Sequence, residues 1–352
     1  MAPEFPTRAG RRAVRATAPI RLCDNGGWTD TWFAGHGQVF NIAASPLVHV
    51  DIESWPRQER AERVTIDARN FGDRYGFPLD APRWLKHPLL EASLAFVGVP
   101  DDLAIEIAVS SDAPAGASVG TSASVAVALV GALDALRNGR MSAAEVAHAA
   151  HHVEMNVLGW QCGIQDQLCA AYGGINFIDM PRFPEANVTQ LQLPPNLLEE
   201  LERRLVVIYL GASHRSSDVH QAVIRELEDE GPECRKLEDL RHTAAQSRDA
   251  VLAGDLERLG AVMVDNTEAQ RRLHPRLIGH DAKRVIEIAA AHRAAGWKVN
   301  GAGGEGGSVT ILLQRGSDTR AALLADISSA SPLFQPLPTR LSSCGIQVRK
   351  TA

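Results

Sequence analysis

Apolar residues alternate along Leu103, Ile105, Ile107 and Val109, with Ala104, Glu106 and Ala108 between them. This is the two-residue period of a strand with one buried face. The chain then passes through a stretch of glycine, proline and small residues, 111–123, into the small apolar run Ala123–Val130. That run predicts a helix ending near Asp134. Upstream, residues 14–22 read as a strand carrying Pro19, Gly26-Gly27 as a turn, and 39–52 as a long apolar strand in which Val48, Val50 and Ile52 alternate. Residues 64–67 suggest a short strand and 88–96 a helix. Downstream, 141–158 predicts one helix, with Ser142 as N-cap and Glu145 three positions on, the pattern of a capping box. A helical stretch at 163–172 ends at Gly173-Gly174, and a strand follows over 175–178.

The segment 181–195 carries prolines and has no clear period, which places a domain boundary there and divides the chain into residues 1–190 and 191–352. The second half opens on a buried strand at 205–210. Helices are expected near 218–230, 234–253, 256–273 and 281–295, then a strand at 308–313, a helix near 320–328 and a strand near 345–349. Both halves mix strands and helices.

The stretch Pro114-Ala115-Gly116-Ala117-Ser118-Val119-Gly120-Thr121-Ser122-Ala123 joins a strand to a helix. A glycine-rich loop in that position offers unpaired N–H groups and the positive end of a helix dipole, a natural phosphate site. Thr121 and Ser122 add hydroxyls suited to a metal bound to that phosphate. A turn that uses glycine for geometry alone explains the same residues equally well. No Gly-Lys-Ser/Thr closes the loop, so it is not a Walker A motif. Gly301-Ala302-Gly303-Gly304-Glu305-Gly306 matches GxGxxG, but the strand-like run Ser308–Leu313 follows where a dinucleotide fold needs a helix. The context predicts a hairpin.

Phosphoryl transfer asks for one carboxylate on a metal and one beside the attacking hydroxyl; Glu154 and Asp166 are the candidates. From sequence alone, solvated helix carboxylates are the simpler reading of both. Arg21 lies in a strand-like run and faces either solvent or a site. Asp24 and Asp30 bracket Gly26-Gly27-Trp28-Thr29, where a carboxylate beside an aromatic ring suits sugar hydroxyls or marks a polar loop. His36, His151, His152, His214 and His220 lack metal-ligand spacing and read as surface or core histidines.

The chain has 352 residues, enough for two packed domains, with 45% apolar and 22% charged residues and a net charge of −6. This balance gives no general attraction to nucleic acid or anionic lipid, and no apolar run is long enough to span a membrane. Residues 1–15 carry Arg8, Arg11, Arg12 and Arg15 without an apolar core, so they read as a basic arm and not a secretory signal. Five cysteines without a CxxC predict a reducing, cytoplasmic setting with neither a disulfide framework nor structural zinc. Cys162 and Cys169 read as small buried residues.

Three segments resemble the motifs of the GHMP small-molecule kinases, in family order. They are Ala18-Pro19-Ile20-Arg21-Leu22 with Gly26-Gly27-Trp28-Thr29-Asp30, then Pro114–Ala123, then Lys298-Val299-Asn300-Gly301-Ala302-Gly303-Gly304-Glu305-Gly306-Gly307. The Gly-Gly-Trp-Thr-Asp sequence, with Gly163-Ile164-Gln165-Asp166-Gln167 and the segment Tyr172–Ile178, resembles the heptose 7-phosphate kinase and fucokinase branches. Gly211–Ser217 also resembles that branch. The resemblance implies an α+β, two-domain fold, with an N-terminal domain like ribosomal protein S5 and a ferredoxin-like C-terminal domain. It implies an ATP- and Mg²⁺-dependent kinase acting on the anomeric hydroxyl of a hexose, heptose or heptose phosphate, as monomer or homodimer, without nucleic-acid or membrane partners.

It also implies roles. Pro114, Gly116, Ser118, Val119, Gly120, Thr121 and Ser122 would cradle ATP; Ser122 and Glu154 would hold Mg²⁺; Asp166 would take or orient the hydroxyl proton; Arg21 would stand beside it as counter-charge. Gly27, Trp28, Thr29, Asp30, His36, Arg215, Gly303 and Gly304 would meet the sugar. Two departures stand out. Ser118-Val119-Gly120-Thr121-Ser122 replaces the commoner Gly-Leu-Gly-Ser-Ser. Glu305 interrupts the third glycine run, where a carboxylate would repel a phosphate unless it points away or binds a hydroxyl or cation. A kinase of non-sugar alcohols and a silent sugar and nucleotide sensor are the competing functions.

Overall fold

The computed structural model describes residues 12–80, 83–211, 216–316 and 319–351, so most of the basic arm lies outside the described residues. The first sheet contains β1 (Arg12–Asn25), β2 (Gly37–Pro56), β3 (Val64–Ala68), β4 (Asp73–Gly76), β5 (Leu103–Ser111), β6 (Ile175–Arg182) and β7 (Glu185–Gln190). The second contains β8 (Leu205–Tyr209), β9 (Gly296–Val299), β10 (Ser308–Leu312) and β11 (Gln335–Leu337). The last strand, β12 (Gln347–Thr351), returns to the first sheet. The helices are α1 (Pro88–Val97), α2 (Thr121–Leu136), α3 (Ala143–His152), α4 (Gln165–Tyr172), α5 (Pro195–Arg204), α6 (Ser216–Glu230), α7 (Arg235–Leu252), α8 (Leu256–Leu273), α9 (His280–Ala291) and α10 (Arg320–Ala330).

The large sheet runs β12-β1-β2-β5-β3-β4, and the small one β11-β8-β10-β9. Strand β2 is long enough to serve two partners: Gly37–Ile42 pair with β6 and Val48–Pro56 with β5. Strand β5 forms as expected, and Ile105, Ile107 and Val109 join Val50, Ile52 and the apolar face of α2 in one core; Ala104 and Ala108 on its other face are buried as well, so the strand has no single buried face. A second core crosses the midline and packs Ile20, Leu22 and Phe40 against Leu205, Val207, Ala244 and Leu259. The two halves therefore share buried apolar surface, which fixes β1 and the residues just beyond it against α7 and α8.

The glycine-rich run at 301–307 links two antiparallel strands, Val299 pairing with Val309, as its context indicated. Two segments depart from the expected elements. The helix predicted over 141–158 is α3 followed by a wider, π-helical turn, Val153–Val157. The segment 181–195 is not irregular: β6 and β7 form a hairpin there, with Pro181 at the register shift, where a missing N–H is tolerated. Helix α5 also starts within it and presents one apolar face, burying Leu201. The Ser142–Glu145 capping box forms in both directions.

Candidate functional site

Strand β1 carries Arg21 into the middle of the molecule, where the side chain is almost fully buried. Its Nε donates to Asp166 Oδ1 at 2.6 Å and its Nη1 to the carbonyl of Ser118 at 2.8 Å. Asp166 sits in the first turn of α4, and Ser118 in the loop before α2. One guanidinium therefore ties together three elements far apart in the chain. Burial opposes its charge, but Asp166 and then Asp24 outweigh burial and hold Arg21 firmly protonated.

Behind this pair lies a buried ionic brace. Lys298 Nζ is 3.3 Å from Asp24 Oδ1, and Asp24 Oδ2 is 3.7 Å from Arg21 Nη2. Asp24 also accepts the N–H of Gly301 at 3.0 Å, which joins the end of β1 to the second glycine turn. Burial lowers the Lys298 pKa, against the pull of Asp24.

On the other side, Ser122 Oγ donates to Glu154 Oε1 at 2.9 Å, and the Gln167 amide donates to Glu154 Oε2. The wide turn after α3 presents Glu154 to the start of α2. Burial pushes its pKa up to about 7, although the Gln167 and Ser122 hydrogen bonds act the other way. Glu154 has no cationic partner among the described residues. Two hard oxygen donors side by side, one an uncompensated buried carboxylate, fit Mg²⁺. No group of three or more His, Cys, Asp or Glu among the described residues is placed to hold a metal, so these two would share the ion with phosphate oxygens.

Asp30 accepts the N–H of Gln165 at 3.0 Å and is buried; burial raises its pKa to about 6, against that hydrogen bond. A Cβ on Gly163 would come within 2.0 Å of Asp30 Oδ2, so only glycine lets this carboxylate lie against the chain leading into α4. Trp28 has φ +79°, a rare conformation for an aromatic residue. Its ring centroid is 5.0 Å from that of His220 on α6, and its Nε1 is buried without a hydrogen-bond partner.

Arg21, Asp24, Trp28, Asp30, Ser122, Glu154 and Asp166 all line one cavity of ≈ 240 Å³. Residues Pro114, Gly116, Ser118, Val119, Gly120 and Thr121, expected to cradle ATP, are not among the residues that line it. The loop is held by its carbonyls: Val119 O accepts from Arg21 N at 2.9 Å, Ala117 O from Ser308 Oγ at 2.6 Å and Ala115 O from Tyr209 at 3.0 Å. Positive φ at Gly116, Ser118 and Gly120 gives this loop the kind of backbone that gathers N–H groups into an anion-binding concavity ahead of α2.

Several expected sugar contacts fall elsewhere. Thr29 spends its hydroxyl on the Gly26 and Gln38 carbonyls, and Gly27 packs on Asp24 and Gln165. His36 offers its carbonyl to Arg241 and lies outside the cavity. Gly303 packs on the Leu277 carbonyl and Gly304 bridges to Ile278; Gly301 and Ala302 face the cavity in their place. Arg215 and His214 lie outside the described residues. Glu305 is exposed and lies toward Gly279 at the start of α9, away from the cavity.

Three contributors escaped the sequence reading. His220 lines the cavity and is not merely a surface or core histidine; Cys162 is only half-buried and lines it too; and Lys298 braces Asp24. Spacing gave no signal for His220 or Lys298, because each meets its partner across the midline. Gln165 and Gln167, flanking Asp166, were the legible clue to a polar pocket.

A profile described as GHMP kinases N terminal domain matches residues 89–174. The chain is 27% identical over 316 residues to the bifunctional fucokinase/GDP-fucose pyrophosphorylase of Arabidopsis thaliana; the match covers 85% of this chain but only 30% of that protein. It is 28% identical over 259 residues to a mevalonate kinase of Pyrococcus furiosus, covering 71% of this chain and 70% of the relative. The crystal structure of a D-glycero-D-manno-heptose 1-phosphate kinase from Bacteroides thetaiotaomicron shares the fold, with a TM-score of 0.74 at 19% identity over 96% of this chain and 99% of that one. The mixed α+β architecture of two sheets and packed helices agrees with that likeness. No helix among the described residues is long and apolar enough to cross a membrane.

Proposed function

We propose that the chain is a GHMP kinase and that it transfers the γ-phosphoryl group of ATP to the anomeric hydroxyl of a small sugar: a hexose, a heptose or a heptose phosphate. The observation that carries this reading is the Arg21–Asp166 pair, which shares a cavity with Asp30 and with the Ser122–Glu154 pair. The N–H groups of residues 116–122, at the start of α2, hold the phosphates. The acceptor hydroxyl lies at Asp166, which takes its proton as the new O–P bond forms and the bond to ADP breaks. Arg21, fixed by Asp166, Ser118 O and the Asp24–Lys298 brace, stabilises charge on the group in transit without having to reorganise. Asp30 and Gln165 hold other sugar hydroxyls. Ser122 and Glu154 are the residues that would hold Mg²⁺, which when bound neutralises phosphate charge.

Kinases of non-sugar alcohols such as mevalonate share the fold. The acceptor side of this cavity presents Asp24, Asp30 and Asp166, and Arg21, the one guanidinium that lines it among the described residues, is already engaged by carboxylates. That surface suits a polyol better than an acid. The enzyme is taken to work in the cytoplasm, as a monomer or homodimer.

The test is ATP consumption over a panel of free sugars, sugar phosphates and mevalonate, beside thermal shift with ATP and Mg²⁺. Turnover restricted to carbohydrates supports the reading. Stabilisation by nucleotide without turnover of any acceptor identifies a sensor, and turnover of mevalonate alone identifies the other kinase class.

A further inference from the structure

Gln161 and His220 each line two cavities: the one that holds Asp166, and a neighbouring one of ≈ 520 Å³. One wall of the second cavity is Trp160 and Gln161, in the turn that follows Glu154. The other is a stripe of α6 formed by His220, Gln221, Arg225 and Glu228. The turn is anchored, since Trp160 N donates to Glu154 O at 2.9 Å, and Gly159 has φ +69°. The Trp160 side chain is nonetheless 40% exposed, and its ring meets no aromatic or cationic partner among the described residues. An indole that is part of a cavity wall and partly open to water offers a flat face on which another ring can stack. On the other wall, Glu228 accepts Trp32 Nε1 at 2.7 Å, which ties that carboxylate to the loop bearing Trp28 and Asp30.

The chemistry of this cavity limits its occupant. Arg225 and Glu228 stand three residues apart on one face of α6, so the wall has no excess of positive charge of the kind that captures a phosphate. Burial lowers the His220 pKa, which keeps the imidazole neutral. Two carboxamides, a guanidinium, a carboxylate and an imidazole are planar hydrogen-bonding groups, unsuited to a purely apolar ligand. An aromatic face opposite such groups matches a sugar ring, which has a C–H face and a hydroxyl edge.

We propose that the second cavity is a subsite for a further glycosyl unit: the acceptor is an uncharged reducing oligosaccharide whose free anomeric hydroxyl lies at Asp166 and whose next ring lies against Trp160. This rests on the sugar-kinase reading above and narrows its substrate class. The experiment compares kcat/KM for reducing disaccharides, their component monosaccharides and monosaccharide phosphates, in the native enzyme and in Trp160→Ala and Arg225→Ala. The expected result is a disaccharide favoured at least tenfold over its monosaccharides, an advantage that Trp160→Ala removes mainly through KM. Two results overturn the proposal: a monosaccharide used as well as every disaccharide, or a sugar phosphate preferred and lost in Arg225→Ala. If no carbohydrate is turned over, the kinase reading fails while the subsite remains testable by tryptophan fluorescence. A saturable change on adding disaccharide, absent from Trp160→Ala, supports the subsite, and no change in the native protein overturns it.

Discussion

Lys298 Nζ lies 3.3 Å from Asp24 Oδ1, and neither side chain is more than 2% exposed. The two residues come from opposite halves of the chain, and each leads directly into site geometry: Asp24 accepts the Gly301 N–H and flanks Arg21. Truncating one partner of a buried ion pair leaves the other charge desolvated and uncompensated, at a cost of about 3–5 kcal/mol. Lys298→Met is expected to lower unfolding free energy by that amount in denaturant titration, and Asp24→Asn in the same background to recover part of it. A loss below about 1 kcal/mol, the range of a solvated surface pair, would mean that water reaches this brace.

Asp166 accepts from Arg21 Nε and remains partly open to the cavity. Asp166→Ala is expected to cut turnover by about 10²–10⁴, the range of a lost general acid–base group. ATP affinity should stay within a few-fold, because the nucleotide loop is pinned by contacts that Asp166 does not make. Steady-state rates beside nucleotide titration decide it; retained turnover removes Asp166 from its proposed role.

Much of this arrangement could be read from local pattern, and the remainder could not, for a physical reason. The alternation of residues 103–109, the Ser142–Glu145 cap and the strand–turn–strand context of residues 301–307 are short-range signals, and each appears as a corresponding element. The approach of Arg21 to Asp166, 145 residues apart, followed only from family resemblance, since no period encodes it. Lys298 looked like one polar position in a strand, and His220 like any histidine on an amphipathic helix. Their partners are fixed by how the halves pack. The turn at Val153–Val157 was invisible because its sequence continues a helical pattern; the wider turn depends on what Glu154 and Trp160 meet.

Stability should depend on pH through Glu154 and Asp30. Burial raises Glu154 from 4.5 to about 7 and Asp30 from 3.8 to about 6, so the native protein keeps these protons to higher pH than the unfolded chain does. Between the unfolded and folded values the native state binds more protons, and stability falls as pH rises. The contribution is complete below about pH 4 and is lost through pH 6 to 7, on the order of 3 kcal/mol for Glu154. His151, whose pKa burial lowers to about 4, contributes with the opposite sign up to about pH 6.5, so the reading is a difference: unfolding midpoints of the nucleotide-free native protein should fall relative to those of Glu154→Gln as pH rises from 4 to 8. Added Mg²⁺ with nucleotide should oppose it by favouring the carboxylate. A native midpoint that runs parallel to that of Glu154→Gln over pH 5–7 would show that Glu154 is not desolvated.

Gly120 caps α2 at φ +72°, and a Cβ there would lie 3.1 Å from Asp166 Cγ and 3.2 Å from Arg21 Cγ. Gly120→Ala therefore combines two effects: a left-handed backbone costing about 1–2 kcal/mol for any L residue, and crowding of the Arg21–Asp166 pair. Gly72 supplies the control, because its φ of +68° carries the same backbone cost while nothing lies within 4 Å of the point a methyl group would occupy. Both alanine variants should lose stability in denaturant titration, Gly120→Ala by at least as much as Gly72→Ala. Only Gly120→Ala should also lose kcat, by at least tenfold, since the displaced carboxylate no longer meets the acceptor hydroxyl. Equal kcat in the two variants would show that the loop and the ion pair move independently, and that the geometry at Asp166 does not depend on the glycine beneath it.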